Sequence, residues 1–371
     1  MHAVTLFKVQ PDGDKGDVEL GTIEGYYAYQ YSHDRKGRVF LFANEGSRQS
    51  LYVYSICAGK LQRAVDLPEA DRAVTSARYV GDGDTLLVAT TDASAERATN
   101  SRLEVYEQGR RISIADVSKE SPLYASVAII GVSPDGSVAY LREAGGDAGD
   151  AWGTYYRWDK TANSVQKLGD FEVIEEKEPT GYLLDALNPS ATLALRVHRA
   201  NYAPDDLESP QSATAPCLNK RAFDSGRYNN IGDEVLVRDM STQEERVVYR
   251  NLMGARNLCW NYLRVIAAPR WRNDHTIVFS MPSGIYEIDV RDGNTRGVAF
   301  QDAALWNEGM RSSVAFVGAN DEYLLTGKSS IVHIKTGREV SVPALRRDPD
   351  LRNFAVTTRF VIPTWTGGGL D

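Results

Sequence analysis

The residues able to do chemistry in this chain are few and scattered. Five histidines, His2, His33, His198, His275 and His333, fall in different stretches, so no pair shares a metal-ligand spacing. There is no HExxH and no GxSxG, the spacings that would place a zinc site or an activated serine. Thr326-Gly327-Lys328-Ser329 has the tail of a phosphate loop. The earlier glycine is replaced by Glu322, and the segment opens no helix, so a phosphate-binding reading fails. Asp147 and Asp150 lie among glycines, oxygen donors of the kind calcium takes, but without the dense Asp/Asn spacing of a calcium loop. His198 is the one histidine positioned to act as a base, and a lone histidine at a strand end is ordinarily structural. No catalytic residue, metal ligand or cofactor site is therefore assigned, and no cofactor is expected.

The cysteines are three: Cys57, Cys217 and Cys259. An odd, low number is no disulfide framework, and no CxxC pair exists for a zinc ribbon. Cys217 and Cys259 fall in neighbouring long connections; they either staple them or remain free thiols, according to redox compartment. Cys57 reads as a strand residue.

The elements that must carry these groups are short strands. Helical periodicity is nearly absent, and alternating apolar runs are separated by Gly, Asp, Asn and Pro turns, the pattern of an all-β protein. A hairpin recurs at 26–44, 74–90, 125–143, 181–198, 262–281 and 311–328. A second hairpin follows each, at 50–67, 102–117, 154–171, 234–250, 285–300 and 330–343. We denote the four strands of such a unit a, b, c and d. Successive a–b turns are about 47, 52, 55, 83 and 47 residues apart, a blade-sized period with one insertion. Segments 4–21 and 354–365 remain, and neither makes a stable sheet alone. Joined, they predict a seventh blade. The expectation is a single domain over 1–371, a seven-bladed β-propeller whose last blade is closed by N-terminal and C-terminal strands, with an insertion at 199–232 in blade four.

The segment Val132-Ser133-Pro134-Asp135-Gly136-Ser137-Val138 resembles the repeat of TolB-type and WD40-like bacterial propellers, in which Ser-Pro-Asp-Gly joins two strands. Asn188-Pro189-Ser190 resembles a degenerate copy, and Trp158-Asp159 is a lone WD dipeptide without a Gly-His partner. The resemblance implies fold, and fold does not give function. Propellers of this kind serve as interaction platforms or as lids beside a peptidase domain; no peptidase domain is read here.

The connections differ in length. The a–b and c–d turns are short, whereas b–c connections 92–101, 144–153 and 199–232, and the links 172–180, 251–260, 301–310 and 344–353, are long. Loops on a rigid scaffold concentrate binding residues. The candidates are Tyr202, Lys220, Arg221, Phe223, Arg227 and Tyr228 in the insertion, with Trp152, Trp260 and Trp306 nearby. Equally, the insertion covers an edge or plugs a channel, and the acidic stretch 170–178 reads as a solvated edge.

Fifty acidic and forty-two basic residues, net charge −8, with no long basic run, argue against nucleic acid as a partner. No apolar run reaches the length of a membrane helix, and Met1 to Gln10 lacks a signal peptide's apolar stretch. The expectation is a cytoplasmic protein, or a periplasmic or secreted one if a leader has been removed. Three functions compete: a non-catalytic binding module for a protein or peptide, a metal-dependent hydrolase of lactonase type with a small molecule in the channel, and a subunit of a larger assembly.

Overall fold

The computed structural model describes residues 3–8, 18–24, 27–31, 38–45, 48–55, 58, 60–66, 72–81, 83–92, 100–118, 126–147, 150–173, 180–184, 186–201, 231–251, 267–281, 284–300, 315–317, 323–326, 330–333, 336, 338–341 and 361–365. Among them every regular element is a strand, and no helix is long and apolar enough to cross a membrane.

The strands fall into sheets in chain order. β1 (Ala3–Lys8) and β2 (Val18–Glu24) form the first hairpin. β3 (Tyr27–Tyr31), β4 (Arg38–Glu45), β5 (Arg48–Ser55) and β6 (Lys60–Asp66) make the next sheet. β7 (Arg72–Tyr79), β8 (Thr85–Asp92), β9 (Ser101–Glu107) and β10 (Arg110–Ser118) follow. β11 (Ser126–Val132), β12 (Val138–Asp147), β13 (Asp150–Asp159) and β14 (Ser164–Val173) gain a fifth strand, β15 (Thr180–Gly181). β16 (Ala186–Leu187), β17 (Leu193–Asn201), β18 (Ile231–Asp239) and β19 (Glu245–Asn251) come next, then β20 (Ala267–Trp271), β21 (Thr276–Met281), β22 (Gly284–Asp289) and β23 (Thr295–Phe300). β24 (Ala315–Val317), β25 (Tyr323–Thr326), β26 (Ser330–His333) and β27 (Glu339–Ser341) form another antiparallel sheet. The final strand, β28 (Val361–Trp365), pairs with β1, from Val4 opposite Trp365 to Lys8 opposite Val361.

The hairpins read from the alternating apolar runs are thus the hairpins of the fold. The strands belong to two compact units. One comprises Met1–Glu175, Pro179–Tyr182 and Ala315–Asp371; the other comprises Glu176–Glu178 and Leu183–Val314.

Within each unit the apolar core lies between successive sheets, because strand side chains alternate faces and both faces of an inner sheet need cover. In the first unit, Phe40, Leu51 and Val53 meet Val74, Ala77, Leu86 and Val88 across one interface. The opposite face of the β7–β10 sheet sends Leu87, Leu103 and Val105 against Val127, Ile129, Leu141 and Trp158. In the second unit, Leu195, Val197, Val235 and Val237 meet Ile277, Phe279 and Ile288.

Two local devices recur. The fourth strand of five sheets, and β2 of the first hairpin, carry a bulge against the preceding strand, at Ala64, Ile112, Leu168, Val248, Val298 and Leu20; all but β14 are edge strands. A bulge bends an edge and spoils it as a template for pairing with another chain. Ile112, half exposed, is one of these bulged residues. Four c–d turns share a side-chain cap: the last residue of strand c accepts from a backbone N–H three residues on. Ala58 N donates to Ser55 Oγ, Ala162 N to Asp159 Oδ1, Thr242 N to Asp239 Oδ1 and Thr336 N to His333 Nδ1. His333 is therefore a turn cap.

The Ser133-Pro134-Asp135-Gly136 turn closes on itself, with Asp135 Oδ1 accepting from the Ser133 and Ser137 hydroxyls and the Ser137 amide. These donors hold the Asp135 carboxyl down at about 2. Gly136 has φ +71, and a Cβ there would lie 2.5 Å from Val80 Cγ1. In the degenerate copy, Asn188 Oδ1 accepts from Thr192 N and Leu193 N, and Ala191 takes the left-handed position at φ +55.

One connection departs from expectation. The stretch 144–153, read as a long b–c loop, is ladder: Ala144 pairs with Gly153, Gly145 with Trp152, Gly146 with Ala151 and Asp147 with Asp150. Glycine-rich sequence suggests a loop, yet here it lets two strands approach: a Cβ on Gly153 would collide with the Glu143 carbonyl oxygen. The insertion is likewise shorter than 199–232, since β17 runs through Asn201 and β18 begins at Ile231.

Candidate functional site

Chain direction puts the a–b and c–d turns at one margin of each sheet and the b–c connections at the other. The b–c margin of sheets β7–β10 and β11–β15 carries the densest polar chemistry among the described residues. It has an exposed rim and a buried brace.

The rim is the extended β12–β13 hairpin. Along one face of β13 run Trp152, Thr154, Tyr156 and Trp158, because alternate residues share a face. Trp158 is fully buried, Tyr156 packs on the same core, and Trp152 is 36% exposed. Trp152 faces Gly145 on one side and the exposed Glu172 of β14 on the other. Thr154 Oγ1 donates to Asp170 Oδ1 at 2.6 Å, and Lys167 Nζ donates to Asp170 Oδ2 at 2.6 Å. Those donors hold the Asp170 carboxyl below the usual range, Lys167 contributing most. On the other face, Tyr155 sits in an aromatic group with Phe171 and Tyr182, ring centres 5.1 and 5.7 Å away. Tyr182 N donates to the Asp170 carbonyl at 2.7 Å as the chain leaves β15.

The brace lies just beneath. Arg72, first residue of β7, donates from Nε to Thr90 Oγ1 (2.9 Å) and from Nη1 to Asp92 Oδ1 (2.7 Å). Its Nη2 donates to the carbonyls of Thr90 and Asn100, at 3.0 and 2.7 Å. Glu104, 1% exposed, accepts from Thr90 Oγ1 (3.1 Å), Tyr106 OH (2.6 Å) and Arg111 Nη1 (3.3 Å). Glu143, also 1% exposed, accepts from Ser101 Oγ of the neighbouring sheet at 2.8 Å and from Tyr156 OH at 3.1 Å. Burial, and then the adjacent carboxylate, pushes the Tyr106 and Tyr156 phenols up, so both stay protonated donors. A buried carboxylate is tolerated only when its lone pairs are filled. Glu104 accepts from three side-chain donors and Glu143 from two, so neither buried carboxylate is left without donors.

His198 lies in β17 opposite Glu234, with Nδ1 3.7 Å from Glu234 Oε2, while Arg250 Nε donates to Glu234 Oε1 at 2.9 Å. It sits beside the Arg250–Glu234 ion pair at the root of the insertion, and among the described residues no metal-binding group forms around it. Among the described residues no group of three or more His, Cys, Asp or Glu side chains converges as a metal site would require. Asp147 and Asp150 end the two strands of the hairpin.

Of the residues expected to bind a partner, Trp152 is placed on the exposed rim. Tyr202, Lys220, Arg221, Phe223, Arg227, Tyr228, Trp260 and Trp306 lie outside the described residues, as do Cys57, Cys217 and Cys259. Sequence reasoning passed over Arg72, Glu104 and Glu143. Their signal was present: each is an ionisable residue inside an otherwise apolar alternating strand, as in Leu103-Glu104-Val105.

No protein-family model and no curated protein sequence matches the chain. Solved structures do. TolB from Acinetobacter baumannii is similar at 10% identity and TM-score 0.38, over 79% of this chain and 62% of that one. An oligogalacturonate lyase in complex with manganese is similar at 14% identity and TM-score 0.41, over 82% and 72%. A putative dipeptidyl aminopeptidase IV from Bacteroides ovatus is similar at 11% identity and TM-score 0.44, over 88% and 48%. The chain thus spans 62% of the TolB's length and about half of the aminopeptidase's. The similarity to these structures is one of fold alone, among chains built, like this one, of antiparallel sheets.

Proposed function

We propose that the chain is a single seven-bladed β-propeller, closed where β28 joins β1 and β2, and that it acts as a non-catalytic binding module for a protein or peptide. The partner surface in this reading is the b–c margin, with Trp152 at its rim and the segment between Asn201 and Ile231 beside it in the repeat order. The observation that supports it most is the β12–β13 hairpin: two paired ten-residue strands that carry Trp152, 36% exposed, near their outer end. Exposed tryptophans on rigid elements are the usual anchors of protein interfaces, because they present large apolar area at little entropic cost. The seven sheets and the β1–β28 pairing support the ring.

The test is site-specific photocrosslinking in lysate of the source organism, with a benzophenone amino acid at position 152 and, as control, at Arg291 of the c–d margin. A discrete partner crosslinked from 152 and not from 291, and lost when unlabelled wild-type chain competes but retained when the competitor carries Trp152→Ala, is the expected result. No partner from either site, together with saturable turnover or metal binding in a small-molecule screen, would replace the platform by the channel-enzyme reading.

A further inference from the structure

The outer end of the β13–β14 ladder joins two groups that the chain itself leaves unanswered. Trp152 of β13 stands opposite Glu172 of β14, and both are exposed. The next pair on the same face, Thr154 and Asp170, shows that side chains in this register meet, since the Thr154 hydroxyl donates to Asp170 Oδ1 at 2.6 Å. Cross-strand partners have Cβ atoms about 5 Å apart, which brings the Glu172 carboxylate within reach of the indole. Asp170 has a cation of its own, Lys167, at 2.6 Å. Glu172 has no hydrogen bond or ion pair among the described residues, and the Trp152 Nε1–H has no acceptor among them.

Elsewhere the chain supplies aromatic rings with its own cations. Arg63, opposite Tyr52 across β5 and β6, holds its guanidinium carbon 5.9 Å from that ring's centre, and Arg38 places its own 3.4 Å from the centre of Tyr79. Opposite Trp152 the cross-strand place is taken by a carboxylate instead, and on β12 by Gly145, which has no side chain to offer. Among the described residues no cation lies over this indole. The sequence directly after β14 adds Glu175, Glu176 and Glu178 against Lys177, so the local charge is net negative.

An aromatic face attracts a cation through its quadrupole, and a carboxylate alongside adds a charge-assisted hydrogen bond. We propose that Trp152 and Glu172 together form a receptor for an arginine side chain carried by a basic peptide segment of the partner. The guanidinium plane stacks on the indole and turns its fork of N–H donors to the Glu172 carboxylate, a geometry that an ammonium does not reproduce. The inference rests on the reading of Trp152 as a partner anchor and adds the partner's chemistry.

The experiment labels the full chain with fluorotryptophan and follows its fluorine NMR spectrum, in which the resonance absent from Trp152→Phe is that of Trp152. The probe is the peptide acetyl-Gly-Arg-Gly-Arg-Gly-amide, beside its citrulline counterpart, which keeps the shape and loses the charge. The wild type is expected to show a saturable shift of the Trp152 resonance with the arginine peptide. Glu172→Gln is expected to bind that peptide about tenfold more weakly, with its other tryptophan resonances in place. Equal binding of the citrulline peptide, equal binding by Glu172→Gln, or no response to the arginine peptide would overturn the proposal. A partner crosslinked from position 152 with no response to the arginine peptide removes the arginine receptor and leaves the platform. A response to the peptide with no partner captured removes the platform and leaves the cation site.

Discussion

The interface between sheets β7–β10 and β11–β15 and the interface between sheets β16–β19 and β20–β23 use the same strand repeat, yet they are tied differently. The first is joined at both margins. At the turn margin, Lys160 Nζ donates to Glu107 and Asn163 Nδ2 to the Ile114 carbonyl. At the b–c margin, the buried Ser101–Glu143 bond crosses it, with the Arg72–Glu104 network immediately behind. The second is joined, among the described residues, at the turns. Asn188 Nδ2 and Ser190 N donate to the carbonyl and carboxylate oxygens of Asp274, Trp271 Nε1 donates to the Ala186 carbonyl, and Arg246 Nη2 to the Val290 carbonyl. Its buried carboxylate, Glu287, is held within its own sheet by Arg272 and Arg296. Apolar side chains make both interfaces cohere, and polar side chains decide which margin is rigid. A b–c margin locked from beneath, as in the first interface, is the better base for an exposed anchor.

The comparison breaks most directly at Arg72. Arg72→Ala leaves Glu104 and Asp92 without their buried cation, and removing one member of a buried pair costs about 3–5 kcal/mol. Urea unfolding measures it; a loss below about 1 kcal/mol would mean that the brace is not what stiffens this margin. In the second unit, Asp274→Ala removes the acceptor of the Ser190 amide, with an expected cost of about 1–2 kcal/mol by the same measurement. A cost equal to that of Arg72→Ala would erase the distinction between the interfaces. The smallest effect separates the turns. Asp135 and Asp289 are both held at about 2, the first by hydroxyl and amide donors, the second chiefly by Arg291. A carboxyl depressed on folding stabilises above its unfolded value near 4, and that contribution is lost as pH falls towards 2. Asp135→Asn and Asp289→Asn should each flatten the stability profile between pH 4 and 2, and added salt should weaken the Asp289 contribution first, because its partner is a charge. Identical salt responses would show that the two turns are held by the same force.

Much of the fold was legible in the sequence because strand alternation and turn chemistry are local. The a–b and c–d hairpins follow from runs such as Ser126–Val132 and from Gly and Asp at the turns. The Asn188 copy of the Ser-Pro-Asp-Gly turn was readable even though Ala191 must adopt a left-handed conformation there. Where local reading failed, a non-local contact had overruled it. Gly145, Gly146 and Gly153 look like a loop by composition, and only the partner strand shows that they are paired and that Gly153 leaves no room for a side chain.

Residue types and spacing by themselves determined an all-β chain of repeated hairpins, an insertion in the fourth repeat and the candidacy of Trp152. Side-chain parity along a strand tells which residues share a face, but not which neighbouring sheet that face meets. Only the tertiary structure decided that Glu143 bonds Ser101 across an interface and that Glu104 is enclosed by Thr90, Tyr106 and Arg111. The physical reason is that the energy of a charge is set by what surrounds it, and here those surroundings come from strands dozens of residues away.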